Sequence, residues 1–281
     1  MVTAWPKTGD DRLSEVDATA GAGGRPPGQR LRRHGRLILA AILVLSLTIG
    51  AVVVWADGRA IRARFLVATA DSIPGDAELM SFALPRGASA YAEHCASCHG
   101  AHLQGDPILA IPNLADGDWL YGTGRVSEIE RVILYGIRSG NSRGWDLAHM
   151  PAFGTARPYD LYAVAPLSPG EIDDVVTYVL SFQHPQADAG AVERGKRIFY
   201  DNNKGVCNDC HGSDAKGDSA IGAPDLTDGV WLRGDGSRQS ISATVAHGLS
   251  GHCPAWINEL SPVTIRAIAV YVHSASGSKR E

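Results

Sequence analysis

The longest hydrophobic segment of the chain lies near its N-terminus. Residues 37–56 form an apolar run without a charged side chain. At about 1.5 Å of rise per residue, a helix of this length crosses the roughly 30 Å hydrocarbon core of a bilayer. We therefore predict a single transmembrane helix there. The preceding segment, 1–36, is rich in Gly, Pro, Asp and Arg and is predicted to be a disordered tail.

Two later segments have apolar residues at helical spacing. In the first, Ser168 and Glu171 form a capping box around Pro169, a residue favoured at the start of a helix. The apolar positions that then share one helical face are Ile172, Val175, Val176, Val179 and Leu180. Residues 261–272 repeat this design. Strand patterns are scarce, so the chain is predicted to be all-α.

The remainder of the chain contains an internal repeat. The motif "CASCHG" at 95–100 corresponds to "CNDCHG" at 207–212, and "AHMPAF" at 148–153 corresponds to "GHCPAW" at 251–256. Each copy consists of a short helix, a cysteine motif, a long loop and a closing helix. The predicted boundaries are 1–36 for the tail, 37–56 for the anchor, 57–84 for a linker, 85–184 and 185–275 for two domains, and 276–281 for a C-terminal tail.

Charge is distributed unevenly along the chain. The formal net charge is −4, but the residues up to 56 hold seven basic and four acidic side chains, so the remainder is acidic. An acidic body argues against nucleic-acid binding and favours a basic protein partner. Five Arg precede the apolar run and three follow it closely, a bias that places the N-terminus in the cytoplasm and the body across the membrane. A cleaved signal peptide ending at "VWA" is the alternative.

Both cysteine motifs have the form C-x-x-C-H, the attachment sequence of c-type haem. In that chemistry two thiols add to the haem vinyl groups, and the adjacent imidazole binds the iron. The predicted haem-binding residues are Cys95, Cys98 and His99 for the first haem, and Cys207, Cys210 and His211 for the second. A zinc site or a redox disulfide is the alternative. The trailing His in both copies and the export of this region favour two covalently bound haems.

A six-coordinate haem iron needs a ligand opposite the histidine, and each copy offers a sulfur residue. Met150 is expected to bind the first iron, because its "MP" sequence lies between the cysteine motif and the closing helix. A methionine that only fills the core is the alternative. Cys253 occupies the matching place in the second copy and is the cysteine that the haems leave unattached. Four roles are open for Cys253. It binds the second iron as a thiolate, it fills space as a buried thiol, it forms an intermolecular disulfide, or the adjacent His252 binds the iron in its place. Ligation by Cys253 or by His252 would give the second haem a lower reduction potential than the first.

The order "CxxCHG…PNL…DWLYG…MPAFG…LSxxEIxxVVxYV" resembles the dihaem subunit III of cbb3-type cytochrome c oxidases. The resemblance implies two tandem class I cytochrome c domains outside a bacterial inner membrane, in the periplasm, where a donor cytochrome c supplies electrons for the oxidase core subunits. It also implies that the carbonyls of Pro112 and Pro224 accept hydrogen bonds from the ligating imidazoles. Trp119 and Trp231 are implied to contact haem propionates, with a purely structural core role as the alternative. Cys253 departs from the family pattern, which has Met.

Three functions agree with these residues. The first is a membrane-anchored dihaem cytochrome that relays electrons to a terminal oxidase core, with no side chain acting as acid, base or nucleophile. The second is an anchored electron carrier for a dehydrogenase or another oxidase. The third is a haem peroxidase or gas sensor, in which an open second iron binds a small ligand.

Overall fold

A computed structural model describes residues 27–155 and 165–277, and in those ranges the regular structure is helical, with isolated bridges but no strands. The all-α prediction is confirmed. The helices are α1 Pro27–Val67, α2 Ala77–His94, α3 Ala96–His99, α4 Val126–Tyr135, α5 Pro169–Ser181, α6 Ala189–Phe199, α7 Cys207–His211, α8 Arg238–His247 and α9 Pro262–Ala275. A short 3-10 helix, Ala70–Gly75, lies between α1 and α2. The predicted disorder of residues 1–26 and the end of the predicted tail, 278–281, lie outside the described residues.

Helix α1 is longer than the predicted transmembrane segment at both ends. Residues 27–36, predicted as part of the disordered tail, and residues 57–67, predicted as linker, are helical. Pro27 suits the first turn of a helix, and the Ala, Arg and Leu residues after the apolar run are good helix formers. Within the described ranges, α1 is the one helix long and apolar enough to cross a membrane, over Gly35–Val67.

The chain divides into two units, Met1–Asp57 and Gly58–Glu281. Within the second unit, the guanidinium of Arg266 donates hydrogen bonds to the carbonyls of Phe65 and Ala68 at the end of α1. Such bonds satisfy carbonyls that a helix leaves unpaired at its C-terminus. The Phe65 side chain is fully buried, so the end of α1 is part of the folded second unit.

The second unit contains the repeat as two sets of four helices, α2 to α5 and α6 to α9. Helices α3 and α7 carry the cysteine motifs. The capping box predicted at Ser168 and Glu171 is present at the start of α5. The predicted long loop is wrong in one respect, because it contains α4 in the first copy and α8 in the second. Ser237, whose side chain accepts from the Ser240 amide, was an available N-cap signal for α8.

The closing helices exchange places between the two copies. Helix α5, from the first copy, packs against α6 and α8 of the second, whereas α9, from the second copy, packs against α2 and α4 of the first. Ion pairs follow the same pattern. Arg194 of α6 binds Asp174 of α5, and Arg266 of α9 binds Glu130 of α4. The exchange therefore involves specific polar contacts as well as apolar packing.

The packing differs from the prediction of contiguous domains at 85–184 and 185–275. One half, which we call the Cys95 half, consists of α2, α3, α4 and α9. The other, the Cys207 half, consists of α5, α6, α7 and α8. The physical reason is that α5 and α9 have equivalent N-caps and similar apolar faces, so the sequence pattern does not distinguish their packing partners.

Candidate haem-binding sites

The histidines of the two cysteine motifs have the same environment. Nδ1 of His99 lies 3.2 Å from the carbonyl oxygen of Pro112, and Nδ1 of His211 lies 3.0 Å from that of Pro224. A carbonyl oxygen only accepts hydrogen bonds, so Nδ1 carries the proton and the Nε2 lone pair is left for a metal. The structure thus brings both prolines to the histidines with which the resemblance paired them.

Burial changes the acid–base properties of the motif residues. It lowers the pKa of both His99 and His211, while the proline carbonyls act in the opposite direction. The imidazoles are therefore neutral at neutral pH, which is the form that binds a metal. Burial raises the pKa of Cys207 to about 12, and burial together with Cys98 raises the pKa of Cys95 to about 11. Each motif thus presents a neutral imidazole nitrogen, and the thiols of Cys95 and Cys207 are protonated at neutral pH.

One continuous cavity of about 720 Å³ is lined by both cysteine motifs. Much of its wall is apolar, and the aliphatic lining residues include Ile129, Ile133, Val179, Ile241 and Val245. A large apolar cavity with a few polar groups is the usual form of a cofactor site. The cavity therefore suits a large planar cofactor covalently attached beside each histidine.

Trp119 and Trp231 line this cavity at matching positions of the repeat. Trp119 packs against the core of the Cys95 half, and Trp231 packs against that of the Cys207 half. Among the described residues, the buried Nε1 atom of Trp119 has no hydrogen-bond acceptor. A buried N–H without a partner is costly, and a cofactor that carries carboxylates, as haem carries propionates, would satisfy it. The residues present therefore fit haem.

Met150 lies in the Cys207 half. Its backbone exchanges two hydrogen bonds with Leu249, two residues after α8 ends. The amide of Phe153 donates to the carbonyl of Val245 in α8 over 3.1 Å. The Met150 side chain packs against the same apolar cluster as Trp231. The methionine loop is therefore held by α8, which belongs to the half that contains His211.

Cys253 lies in the Cys95 half. Its backbone exchanges two hydrogen bonds of 2.9 Å with Ile137, just after α4. Burial, and to a smaller extent the neighbouring thiols of Cys95 and Cys98, raise the pKa of Cys253 to about 11. The Cys253 side chain is half-buried, whereas the adjacent His252 is exposed. The cysteine loop is therefore held by α4, close to the first haem motif.

These loop positions differ from the predicted pairing of sulfur residues with haem motifs. The sequence pattern pairs Met150 with the first motif and Cys253 with the second, but the structure places the Met150 loop beside α8 and the Cys253 loop beside α4. The glycines that follow α4 and α8 explain the fit of the loops. A Cβ atom on Gly136 would lie 2.4 Å from the carbonyl oxygen of Cys253, and one on Gly248 would lie 2.5 Å from that of Met150. Each loop thus approaches the helix end of the opposite copy too closely for any side chain at the glycine.

The structure also brings into the site two residues that the sequence analysis did not select. Tyr121 and Arg138 line the cavity between the motifs, and Nη1 of Arg138 donates to the Tyr121 hydroxyl over 3.1 Å. The Tyr121 ring packs on Trp145, with ring centroids 5.3 Å apart. Tyr121 corresponds to Arg233 in the second copy, so the repeat itself gives no signal for it.

Comparison with known proteins decides the family. The family described as "Cytochrome c" matches residues 84–183, and "Cytochrome C oxidase, cbb3-type, subunit III" matches residues 190–272. A "Cbb3-type cytochrome c oxidase subunit CcoP" from Azospirillum sp. (strain B510) is 40% identical over 235 residues, which cover 80% of this chain and 74% of the relative. The chain belongs to the cbb3-type cytochrome c oxidase subunit III family.

Other relatives in the subunit III family show similar identity. A subunit FixP from Azorhizobium caulinodans is 39% identical over 210 residues, or 74% of this chain and 65% of the relative, just under two thirds of its length. A subunit CcoP from Rhodobacter capsulatus is 37% identical over 229 residues, or 79% of this chain and 72% of the relative. The resemblance found in the sequence is confirmed, and so are the two covalently bound c-type haems that two cytochrome c domains imply.

Proposed function

We propose that this chain is the membrane-anchored dihaem subunit that relays electrons to the core of a cbb3-type oxidase. The attachment and proximal residues are Cys95, Cys98 and His99 for one haem and Cys207, Cys210 and His211 for the other. The identical histidine–proline geometry in both halves supports this assignment. When bound, each haem supplies an iron that changes between the ferric and ferrous states without bonding a substrate.

The observation behind the proposed ligands is the exchange of two loops, since the Met150 loop lies in the Cys207 half and the Cys253 loop lies in the Cys95 half. On this basis we assign Met150 to the haem of the Cys207 half and Cys253 to the haem of the Cys95 half, supported by the hydrogen bonds of their loops to Leu249 and Ile137. His252 is exposed, which makes it a poorer candidate than the half-buried Cys253. Haem attachment turns Cys95 and Cys98 into thioethers and so removes their effect on the pKa of Cys253, and a bound metal favours the thiolate form of a thiol.

The two haems should therefore differ in reduction potential. A thioether ligand raises the potential of a haem, whereas an anionic thiolate stabilises ferric iron. We expect the haem of the Cys95 half to be the more reducing one, which reverses the order expected from the sequence. Electron transfer from the Cys95 half to the Cys207 half is then the thermodynamically favourable direction.

The orientation of the chain and its donor are also part of this proposal. The arginine bias around the apolar run supports an N-terminus in the cytoplasm and haem-binding halves in the periplasm of a bacterial inner membrane. The acidic body supports a basic cytochrome c as electron donor, because opposite charges steer the encounter. The oxidase core subunits, which the names of the relatives imply, would be the acceptors.

The proposal is tested by redox titration and ferric electron paramagnetic resonance (EPR) of the purified full-length protein with both haems. We expect Met150→Ala to remove the thioether signature of the less reducing haem, and Cys253→Ala to remove the thiolate signature of the more reducing one. Met80→Leu is the matched control, because Met80 packs against the core of the Cys95 half from α2. An unchanged EPR spectrum in Cys253→Ala would refute thiolate ligation. Rapid carbon monoxide binding by the unaltered protein would instead favour a gas-binding function.

A further inference from the structure

Arg138 lies where the chain passes from the Cys95 half to the Cys207 half. It follows α4, and its amide donates to the carbonyl of Trp145 over 2.8 Å. Its φ of +48° is in the left-handed region, which residues other than glycine rarely adopt. Such a conformation persists where the surroundings over-determine it, and it is concentrated at functional sites. The contacts of the Arg138 side chain therefore explain why this residue keeps a left-handed backbone conformation.

The Arg138 guanidinium binds the two loops that carry the sulfur residues. Nη1 donates to the carbonyl of Ala148 over 2.9 Å, two residues before Met150. Nε donates to the carbonyl of Gly251, two residues before Cys253. One side chain thus joins the backbones of two loops that lead to different haem motifs.

The remaining contacts of Arg138 extend this connection. Nη1 also donates to the hydroxyl of Tyr121, whose ring packs so closely on Gly222 that a Cβ atom there would lie 2.2 Å from it. Gly222 is on the loop that leads to Pro224, the hydrogen-bond partner of His211. In the described part of the chain, no carboxylate forms an ion pair with Arg138. Its charge is therefore directed at loop carbonyls and a hydroxyl.

We propose that Arg138 is a positioning residue shared by both haem sites, which fixes the Met150 loop and the Cys253 loop to each other. This inference rests on the ligand assignment of the proposed function. The rigid, planar guanidinium directs separate N–H groups at both carbonyls, a geometry that the compact ammonium of a lysine does not reproduce. Loosening this contact frees both sulfur ligands together, although Arg138 itself touches neither sulfur.

The test measures the rate at which cyanide displaces the sixth ligand in the ferric full-length protein with both haems, followed separately by the EPR signal of each haem. In Arg138→Gln and in Arg138→Lys we expect about tenfold faster cyanide binding at both haems, since about one charge-assisted hydrogen bond is lost per loop. Arg143→Gln is the matched control, because Arg143 stacks over the ring of Tyr135 at 4.6 Å and should leave both rates unchanged.

The two substitutions separate positioning from charge. If Arg138 acts only through its positive charge, Arg138→Lys behaves like the unaltered protein and the proposal is overturned. An effect at one haem alone, or at neither, also overturns it. Met150→Ala and Cys253→Ala in the same assay check the ligand assignment, since each should speed cyanide binding at its own haem only. If those two act at the opposite haems, the ligand assignment within the proposed function fails. If Arg138→Gln does not accumulate with haem, Arg138→Lys decides alone.

Discussion

Met150 and Cys253 lie in equivalent loops, and they differ in side-chain length and in the chemistry of the sulfur atom, which is a thioether in one and a thiol in the other. Each follows a histidine and precedes a Pro-Ala-aromatic sequence. The loops are held in the same way, since Phe153 donates to Val245 and Trp256 donates to Ile133 at the ends of equivalent helices. Backbone placement is thus preserved while the sulfur side chain changes. Under the proposed ligand assignment, this change would alter the potential of one haem without altering the backbone around it.

Cys253→Met should raise the potential of the more reducing haem. A neutral thioether replaces a thiolate, so the ferric state loses stabilisation, and we expect a rise of about 0.1 V or more within the range of about 0.8 V that axial ligands span. Redox titration with both haems resolved measures the shift. His252→Ala, at the exposed neighbour, should leave both potentials in place. If Cys253→Met shifts only the potential of the haem that Met150→Ala also affects, the ligand assignment is contradicted.

At the scale of elements, the closing helices α5 and α9 determine which segments form each half. Close helix contacts fix their positions. A Cβ atom on Gly195 of α6 would lie 2.0 Å from the carbonyl oxygen of Asp174 in α5, and one on Gly87 of α2 would lie 2.1 Å from that of Ala267 in α9. Both contacts join helices of different copies. Each half therefore depends on a glycine that admits the helix of the opposite copy.

Gly195→Ala should destabilise the Cys207 half selectively. The added methyl group overlaps backbone atoms of α5, and overpacking of this kind costs about 1–3 kcal/mol. Urea unfolding followed through each haem measures the effect, which should be larger at the Met150-linked haem. Gly170→Ala is the control, because nothing lies within 4 Å of a Cβ atom at that position. Equal destabilisation at both haems, or at the other haem alone, would argue against the exchange.

An ion pair between α5 and the loop after α6 should make stability depend on pH. Lys204 and the Ser168 cap lower the pKa of Glu171 from 4.5 to about 2. Because the folded-state pKa is depressed, the stabilisation is present above pH 4.5 and is lost as the pH falls toward 2. Glu171→Gln should slightly lower the Tm at neutral pH. The difference in Tm from the unaltered protein should become smaller as the pH falls from 4.5 toward 2. Glu193→Gln, which removes an exposed pair with Arg197, is the control and should leave the Tm at neutral pH unchanged.

Local patterns in the sequence predicted much of the fold and of the haem chemistry. The haem motifs, the capped closing helices and the proline partners of the histidines each depend on short stretches of chain. The exchange could not be predicted in this way, because two nearly identical closing helices satisfy the same local rules. Arg138 was also missed, since its contacts with Ala148 and Gly251 exist only after both loops have crossed.

At the scale of the whole molecule, one continuous cavity links the two motifs within a fold whose halves share segments of chain. This arrangement places the ligand loops of both haems beside each other at the crossing around Arg138. The chain is acidic overall, with a formal charge of −4, although the segment before the apolar run holds seven basic and four acidic residues. The acidic body would attract the proposed basic donor at long range.

Reduction of the protein by a basic soluble cytochrome c should slow as salt is added. Screening shortens the reach of opposite surface charges to about 8 Å at physiological ionic strength, so the association rate falls. Stopped-flow measurement over a range of ionic strengths gives the dependence. A small neutral reductant serves as the control and should show little change. A donor rate that rises with salt would contradict an acidic docking surface.

The exchange of ligand loops is tested most directly by an experimental structure of the haem-loaded, full-length protein. The map must trace the chain through residues 137–150 and 249–253 without a break. The account predicts that the sulfur of Cys253 faces the iron beside His99, that Met150 faces the iron beside His211, and that α9 packs on α2. A map in which Met150 lies opposite His99, with α5 packed on α2, would contradict it.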